Sequence, residues 1–294
     1  MKAMTRQEFI KNLTFTTLTM TTLKLSALSK LSYELEETAK MPALFVGHGN
    51  PMNAIEENEF VAGWRNMIKT VEKPKSILCI SAHWETKGTY VTAMEKPNTI
   101  HDFGGFPQEL FDVQYNAPGD PVLAAFTKKT VLNASVQSDY SWGLDHGCWS
   151  VIKQMYPEAD IPVIQLSIDY TKPLSFHLQL AKELAALRRK GVLIVGSGNM
   201  VHNLRKVDWG NENSGYDWAI EANDGFKKMI LNEEYDKLTN LNALPSAFQL
   251  AIPTPEHYIP LLYTLGLKEK DEETVFYNDA LVMGSLSMTS IKIG

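Results

Sequence analysis

The sequence has little cysteine, no excess of positive charge and no long apolar segment. Its 294 residues include only two cysteines, Cys79 and Cys148, so neither a disulfide framework nor a cysteine-rich zinc module can form. The formal net charge of -6 argues against binding to the phosphate backbone of nucleic acids. Any metal bound by this chain must therefore be held by histidine and carboxylate side chains.

Several common catalytic signatures are also missing. The chain has no G-x-x-x-x-G-K-[ST] phosphate loop, no H-E-x-x-H zinc helix and no G-x-S-x-G nucleophile elbow. The string Gly196-Ser197-Gly198 lacks the third glycine of a dinucleotide fingerprint. Cys148 lies two residues after His146, but its apolar neighbours favour a buried, unreactive thiol.

Residues 1–40 differ in composition from the rest of the chain. No acidic residue occurs between Phe9 and Ser32, where a threonine-rich run is too polar to predict a membrane span. Residues 5–11 resemble a twin-arginine export signal that has lost its second arginine. We therefore expect an N-terminal extension and a cytoplasmic protein without stable membrane insertion, or a periplasmic one if residues 1–30 act as a signal.

From Met41 onward, short apolar runs alternate with longer amphipathic stretches, as is typical of βαβ units. Two-residue alternation from Met283 to Ile293 predicts a half-exposed final strand and hence a mixed sheet. We predict one α/β domain at residues 41–294, with a central, mostly parallel mixed sheet flanked by helices. The expected buried strands are 43–46, 77–81, 162–168 and 192–195, and the expected helices are 59–70, 121–132 and 174–190.

Three of the seven histidines follow predicted strands. His48 comes after strand 43–46, His83 after strand 77–81, and His202 shortly after strand 192–195. Ligands of open α/β sheets bind outside the carboxyl ends of the strands, so these side chains should meet at one edge. One such histidine is more often structural, but three with matching placement favour a metal or acid/base site there.

The other histidines have less distinctive settings. His257 lies in the proline-stiffened string P-T-P-E-H-Y; alone it would indicate a helix start, but beside the other three it is a candidate fourth member. His101 and His146 lie in glycine-bearing aromatic segments, which suit a pocket wall and a plain packed loop equally well. His177, inside the predicted helix 174–190, is interpreted as structural.

Several short sequence motifs around these histidines occur in the same order as in a known family. From Met41 to Gly294 the chain resembles the class III extradiol ring-cleavage dioxygenases, and within them the 4,5-DOPA dioxygenase extradiol family. The matching strings are LFVGHGNPM (44–52), SAHW (81–84), HDFGGFP (101–107), DHG (145–147), GN and VHNL (198–204), PTPEHY (253–258) and MGSLSM (283–288).

The resemblance implies a role for each matched side chain. It assigns the metal to His48, His83 and His257, acid/base catalysis to His202, and a place in the substrate site to His146. The string of His101, Asp102 and Phe103 is expected to bind substrate. The wider group uses two histidines and a glutamate as metal ligands, so the part played by Glu256, next to His257, is left open.

The implied reaction is cleavage of a catechol ring by O₂ beside its two hydroxyls, with DOPA or a related diol as substrate. Fe²⁺ would serve catalysis, with Zn²⁺ as an alternative occupant of the site. His202 would take a catechol proton, and His202 or His146 would return one. A zinc-dependent hydrolase and a non-catalytic metal-binding protein are the alternatives, and a monomer and a homodimer are both open.

Overall fold

A central sheet of six strands organises the protein, whose computed structural model describes residues 37–211 and 213–294. The strands of the described residues are β1 (Ala43–Gly47), β2 (Ser76–Ser81), β3 (Glu85–Thr86), β4 (Thr89–Thr92), β5 (Val136–Asp139), β6 (Val163–Gln165), β7 (Ile168–Asp169), β8 (Val192–Gly198), β9 (Thr274–Tyr277), β10 (Leu281–Val282), β11 (Leu286–Ser287) and β12 (Ser290–Ile293). The strand order in the central sheet is β6-β2-β8-β1-β12-β9.

Helices connect these strands and cover the sheet. The α-helices are α1 (Glu59–Ile68), α2 (Gln108–Phe111), α3 (Pro121–Thr130), α4 (His146–Met155), α5 (Leu174–Leu184), α6 (Asp217–Leu231), α7 (Tyr235–Leu238), α8 (Ser246–Ala251) and α9 (Ile259–Gly266). Short 3-10 helices span Pro51–Ala54, Ala185–Lys190, Leu204–Lys206 and Leu241–Ala243. Residues 39–294 form one compact unit.

Four neighbouring strands of the sheet, β6, β2, β8 and β1, are parallel, whereas β12 pairs antiparallel with both β1 and β9. The prediction of a mostly parallel, mixed α/β sheet flanked by helices is therefore confirmed. Val46 lies opposite Ser197, and Ser197 lies opposite Ser81. The carboxyl ends of β1, β8 and β2 consequently reach the same level of the sheet.

Alternate residues of the central strand β8 face different helices, as the pleat of a strand requires. Ser197 donates a hydrogen bond to the carbonyl of Gly147 in α4, over 2.5 Å. Gly196 faces the other side, where a Cβ atom would stand 2.4 Å from the carbonyl oxygen of Pro260 in α9. Helices thus pack on both faces of the sheet.

Several predicted boundaries were wrong. The run 162–168 divides into β6 and β7, and β7 leaves the central sheet to pair with β3. The helix predicted for 174–190 ends at Leu184 and continues as a 3-10 turn to Lys190. The C-terminal segment divides into β11 and β12, and β12 is mostly buried because it lies between two neighbours rather than at an edge.

The expectations for residues 1–36 of the N-terminal extension fall outside the residues that the structure describes. Over the described part of the chain, none of the helices combines the length and the apolar character needed to cross a membrane.

His177 supports the packing of α5 on α9. Its ring is fully buried, with Nδ1 3.2 Å from the hydroxyl of Tyr263. Burial lowers the pKa of His177 to about 4, because the charged imidazolium loses its hydration in the interior.

We predict that His177 makes the protein less stable in mild acid. Its pKa in the unfolded chain is about 6.5, so below that pH the unfolded state binds a proton that the folded state excludes. Between pH 7 and pH 5 this residue should cost about 2 kcal/mol of unfolding free energy. Urea unfolding of wild type and His177→Gln at both pH values measures it, and equal losses in the two proteins would contradict it.

Candidate metal centre

Three imidazoles meet just beyond the strand ends. His48 follows β1 and His83 follows β2, while His257 comes from the turn that precedes α9. Nε2 of His48 and Nε2 of His83 are 3.3 Å apart. The three side chains each offer a ligand nitrogen within 4.8 Å of the others, so they could hold a metal ion.

The opposite ring nitrogen of each of these histidines lies beside a side-chain oxygen. Nδ1 of His48 lies 3.0 Å from the hydroxyl of Ser197, which already donates to a backbone carbonyl. Nδ1 of His83 is 3.3 Å from Oδ2 of Asp102. When Nδ1 carries the hydrogen in these positions, the lone pair is on Nε2. This tautomer can bind a metal through Nε2.

His257 is held in the same way by its neighbour. Its Nδ1 is 3.1 Å from Oε1 of Glu256, and the same oxygen accepts a hydrogen bond from Thr254 over 2.9 Å. Glu256 thus contacts Nδ1 of His257 and leaves Nε2 of that ring available to a metal ion. Carboxylates commonly orient metal-bound histidines through this contact.

Burial keeps the imidazoles neutral. It lowers the pKa of His83 to about 3 and the pKa of His202 to about 4. The pKa values of His48 and His257 are also lowered well below the usual range, first by burial and then by the neighbouring histidines. All four rings are therefore unprotonated near neutral pH, as metal ligation and proton acceptance require.

Gly198 of β8 lets the turn that carries His257 approach the sheet. A Cβ atom on Gly198 would stand 2.1 Å from the carbonyl oxygen of His257, and that carbonyl accepts a hydrogen bond from Asn199. Glycine at position 198 therefore admits the backbone that carries His257.

His202 lies against the cluster from another side. Its ring is stacked on that of His257, with the centroids 3.5 Å apart and the planes at 9°. The backbone N–H of His202 donates to the carbonyl of Ala251 in α8, which fixes the position of the residue. This side chain is therefore close enough to reach a molecule bound at the three imidazoles.

His146 is positioned by a carboxylate at the start of α4. Oδ1 of Asp102 accepts its backbone N–H over 2.8 Å, and Oδ2 lies 2.9 Å from its Nδ1. Burial alone would raise the pKa of Asp102, but the hydrogen bonds from His146 outweigh burial and lower it. Asp102 therefore holds both His146 and His83 while it remains charged.

His101 and Phe103 do not line the pocket at the cluster. Nε2 of His101 contacts the carbonyl oxygen of Val113 over 2.9 Å. The ring of Phe103 meets the ring of His146 edge to face, with centroids 5.5 Å apart. Both residues lie behind His146, and their assignment to substrate binding stays a prediction.

The cluster opens into a cavity of about 320 Å³. The histidines of the cavity were identified from the sequence. Most of its apolar lining and the contact of Ser197 with His48 were not. The apolar residues that line the cavity are Pro51, Phe106, Leu204, Val207, Trp209, Met283 and Leu286. Such a cavity, mostly apolar with a few converging polar groups, is typical of a small-molecule site.

Comparison with known proteins identifies the family of this chain. Residues 40–286 match the family described as the catalytic LigB subunit of aromatic ring-opening dioxygenase. The match covers most of the chain, which therefore belongs to the class III extradiol ring-cleaving dioxygenases. The predictions of this family and of an extradiol dioxygenase enzyme are confirmed.

This chain matches individual relatives over nearly the whole of their length. The chain is 47% identical to the 4,5-DOPA dioxygenase extradiol of Escherichia coli (strain K12), over 87% of this chain and 96% of that protein. It is 35% identical to the 4,5-DOPA dioxygenase extradiol of Beta vulgaris, over 84% and 94%. The crystal structure of an uncharacterized protein from Escherichia coli K12 matches with a TM-score of 0.76 and 43% identity, over 87% of this chain and all of that one.

We predict that Asp102 supports metal binding without being a ligand. Asp102→Ala removes the carboxylate that lies 3.3 Å from His83 Nδ1, and loss of such an outer partner typically weakens metal binding by roughly 10- to 100-fold. Competition for Zn²⁺ against a chelator measures the affinity. Asp112→Ala, which removes a nearby exposed carboxylate, serves as the control. Equal affinities for the Asp102→Ala variant and the wild type would contradict this role.

Proposed function

We propose that this enzyme opens the ring of a catechol beside its two hydroxyls, using O₂ and Fe²⁺. DOPA, cleaved at its 4,5 bond, is the first substrate to consider, because several relatives carry that name. The observation that carries the proposal is the convergence of three neutral imidazoles, each with Nδ1 within 3.3 Å of a hydroxyl or carboxylate oxygen. Such a set can bind a divalent metal on one face and leave other positions open.

We assign the metal to His48, His83 and His257. The donor set fits, because all three rings are neutral and their ligand nitrogens lie within 4.8 Å of one another. Glu256, whose Oε1 lies 3.1 Å from Nδ1 of His257, then serves as the orienting partner of that ring. When bound, Fe²⁺ would acidify the catechol hydroxyls and mediate electron transfer from the catechol to O₂.

We assign proton transfer to His202 and His146. His202 is neutral because burial lowers its pKa to about 4, so it can accept a catechol proton at neutral pH. Asp102 occupies Nδ1 of His146, which leaves Nε2 of that ring to face the cavity. Nε2 of His146 can therefore accept a hydrogen bond from a substrate hydroxyl, and a proton taken from that hydroxyl can be returned as the ring opens.

Zinc is the main competitor for the same ligands. Histidine nitrogens bind Zn²⁺ more tightly than Fe²⁺, and zinc-bound water is a hydrolytic nucleophile. A zinc hydrolase therefore remains the second candidate for this cluster, although the family membership favours oxygen chemistry. A cytoplasmic location remains a prediction from sequence.

We predict that anaerobic loading with Fe²⁺, followed by air and DOPA or another catechol, gives O₂ uptake and a yellow semialdehyde. An oxygen electrode and visible absorbance follow the two events together. Uptake of O₂ without a ring-cleavage chromophore would contradict extradiol cleavage. Hydrolysis of esters or amides by the zinc-loaded protein, without O₂ use, would favour the second candidate.

We also predict that His202→Ala lowers kcat by about 10²- to 10⁴-fold, the usual range for loss of a positioned acid/base group. Metal content, measured by atomic absorption, should stay close to that of wild type, because His202 is not among the assigned ligands. His177→Gln, a change at a buried histidine outside the cavity, is the control and should retain activity at neutral pH. Turnover at the wild-type rate in His202→Ala would overturn the assignment.

A further inference from the structure

A second, charged cleft adjoins the cavity that contains the histidines. It has a volume of about 120 Å³ and shares His202 and Leu204 with that cavity, whereas Arg205 and Glu256 line the cleft alone. We propose that this cleft binds the amino-acid end of the substrate, with Arg205 pairing with the carboxylate and Glu256 with the ammonium. The inference rests on the proposed function and names the side chains that select a catechol carrying an α-amino acid.

The ring and the amino-acid end of DOPA call for different surroundings. An aromatic ring suits the imidazoles and apolar side chains of the main cavity. An ammonium and a carboxylate are held most strongly by side chains of opposite charge. Because the cavity and the cleft meet at His202 and Leu204, one molecule could lie across both spaces, with its ring at the imidazoles and its amino-acid end in the cleft.

Arg205 is fixed at its backbone and unpaired at its guanidinium. Its backbone N–H donates to Oδ1 of Asn203 over 3.2 Å, and the side-chain amide of Asn203 donates to the carbonyl of Leu250 over 2.7 Å. Within the part of the chain that the structure describes, the guanidinium has neither a hydrogen bond nor an ion pair. A guanidinium can hold a carboxylate through two parallel hydrogen bonds, so Arg205 is available for that contact.

Glu256 keeps one carboxylate oxygen for a ligand. Its Oε1 accepts a hydrogen bond from Thr254 over 2.9 Å and lies 3.1 Å from Nδ1 of His257. Its Oε2 makes no hydrogen bond with any residue that the structure describes. One carboxylate oxygen lies within 4.8 Å of a ring nitrogen of His202, which places Glu256 at the border between the cleft and the main cavity.

Arg205 and Glu256 line one cleft without pairing with each other. Their side chains carry opposite charges, yet among the described residues they form no ion pair across the cleft. A zwitterionic α-amino acid carries the complementary charges on two groups attached to one carbon. Placed between the two side chains it would pair with both at once, through charge-assisted hydrogen bonds that are stronger than neutral ones.

The test measures kcat/KM of the Fe²⁺-loaded enzyme for four catechols. DOPA carries both charged groups, 3,4-dihydroxyphenylpropionate only the carboxylate, dopamine only the ammonium, and 4-ethylcatechol neither. Relative to 4-ethylcatechol, Arg205→Ala should lose about tenfold in kcat/KM for the two carboxylates, as expected for one charge-assisted hydrogen bond, and dopamine should not share this loss. An equal loss for all four compounds, or no loss for DOPA, would overturn the proposal.

Lys206→Ala is the matched control. Lys206 is the next basic residue along the chain, is also exposed, and lines neither the cavity nor the cleft. This variant should keep the wild-type kcat/KM ratio of DOPA to 4-ethylcatechol. Arg205→Lys, which retains the charge without the paired hydrogen bonds, should give a ratio between those of wild type and Arg205→Ala. The same decrease in Lys206→Ala and Arg205→Ala would refute a direct contact with Arg205.

Glu256→Gln tests the partner of the ammonium. It should lower the kcat/KM ratio of dopamine to 4-ethylcatechol several-fold, because the neutral amide no longer attracts the ammonium. The ratio cancels any effect that the change has on His257 and the metal, since both substrates share the same ring site. An unchanged ratio would overturn the assignment of Glu256.

Binding measurements separate this inference from the proposed function. Calorimetric titration of zinc-loaded wild type and Arg205→Ala with DOPA and with 4-ethylcatechol reports the contact without turnover. Absence of ring cleavage with every catechol would refute the proposed function, while an affinity loss in Arg205→Ala that is confined to DOPA would still support the cleft. Equal affinities of wild type and Arg205→Ala for DOPA would refute the cleft, whatever the outcome of the activity assay.

Discussion

The parallel register of β1, β8 and β2 is the constraint on which the site depends. Because Val46, Ser197 and Ser81 lie at one level of the sheet, the residues that follow β1 and β2 emerge side by side. His48 and His83 come one and two residues after those strands and meet with Nε2 atoms 3.3 Å apart. A shift of one strand by one residue would turn the next side chain to the opposite face.

Desolvation is the second physical condition of the site. The imidazoles of His48, His83 and His257 are crowded together in a space where a protonated ring would be costly, so the fold keeps them neutral. The hydroxyl and carboxylate oxygens beside Nδ1 then determine which nitrogen of each ring carries the hydrogen. Burial thus keeps each ring neutral, and the neighbouring oxygens favour the tautomer whose lone pair is on Nε2.

The cavity combines two surfaces that have different origins in the chain. The imidazole face belongs to the strings that define the family. Part of the apolar lining comes from the 3-10 turn Leu204–Lys206 and the loop after it, where Val207 and Trp209 line the cavity. Loops of this kind vary more freely than strand ends because less of the core depends on them.

Much of the framework could be predicted from local patterns. Short apolar runs gave the core strands, and the histidines at 48, 83 and 202 were identified because they follow those runs. Boundaries were less predictable, since the division of 162–168 depends on a pairing of β7 with β3 that no local pattern shows. The buried position of β12 likewise depends on its two neighbours in the sheet.

The sequence by itself determined that histidines would gather at the carboxyl edge of an α/β sheet, because strand period and turn residues are local properties. Only the tertiary structure decided how they are oriented. The contact between His48 and Ser197 joins residues 149 positions apart, and that between His146 and Asp102 spans 44. The tertiary structure also decided the apolar lining of the cavity. The exposure of Trp209 beside the cavity follows from how distant segments pack and not from its neighbours in the chain.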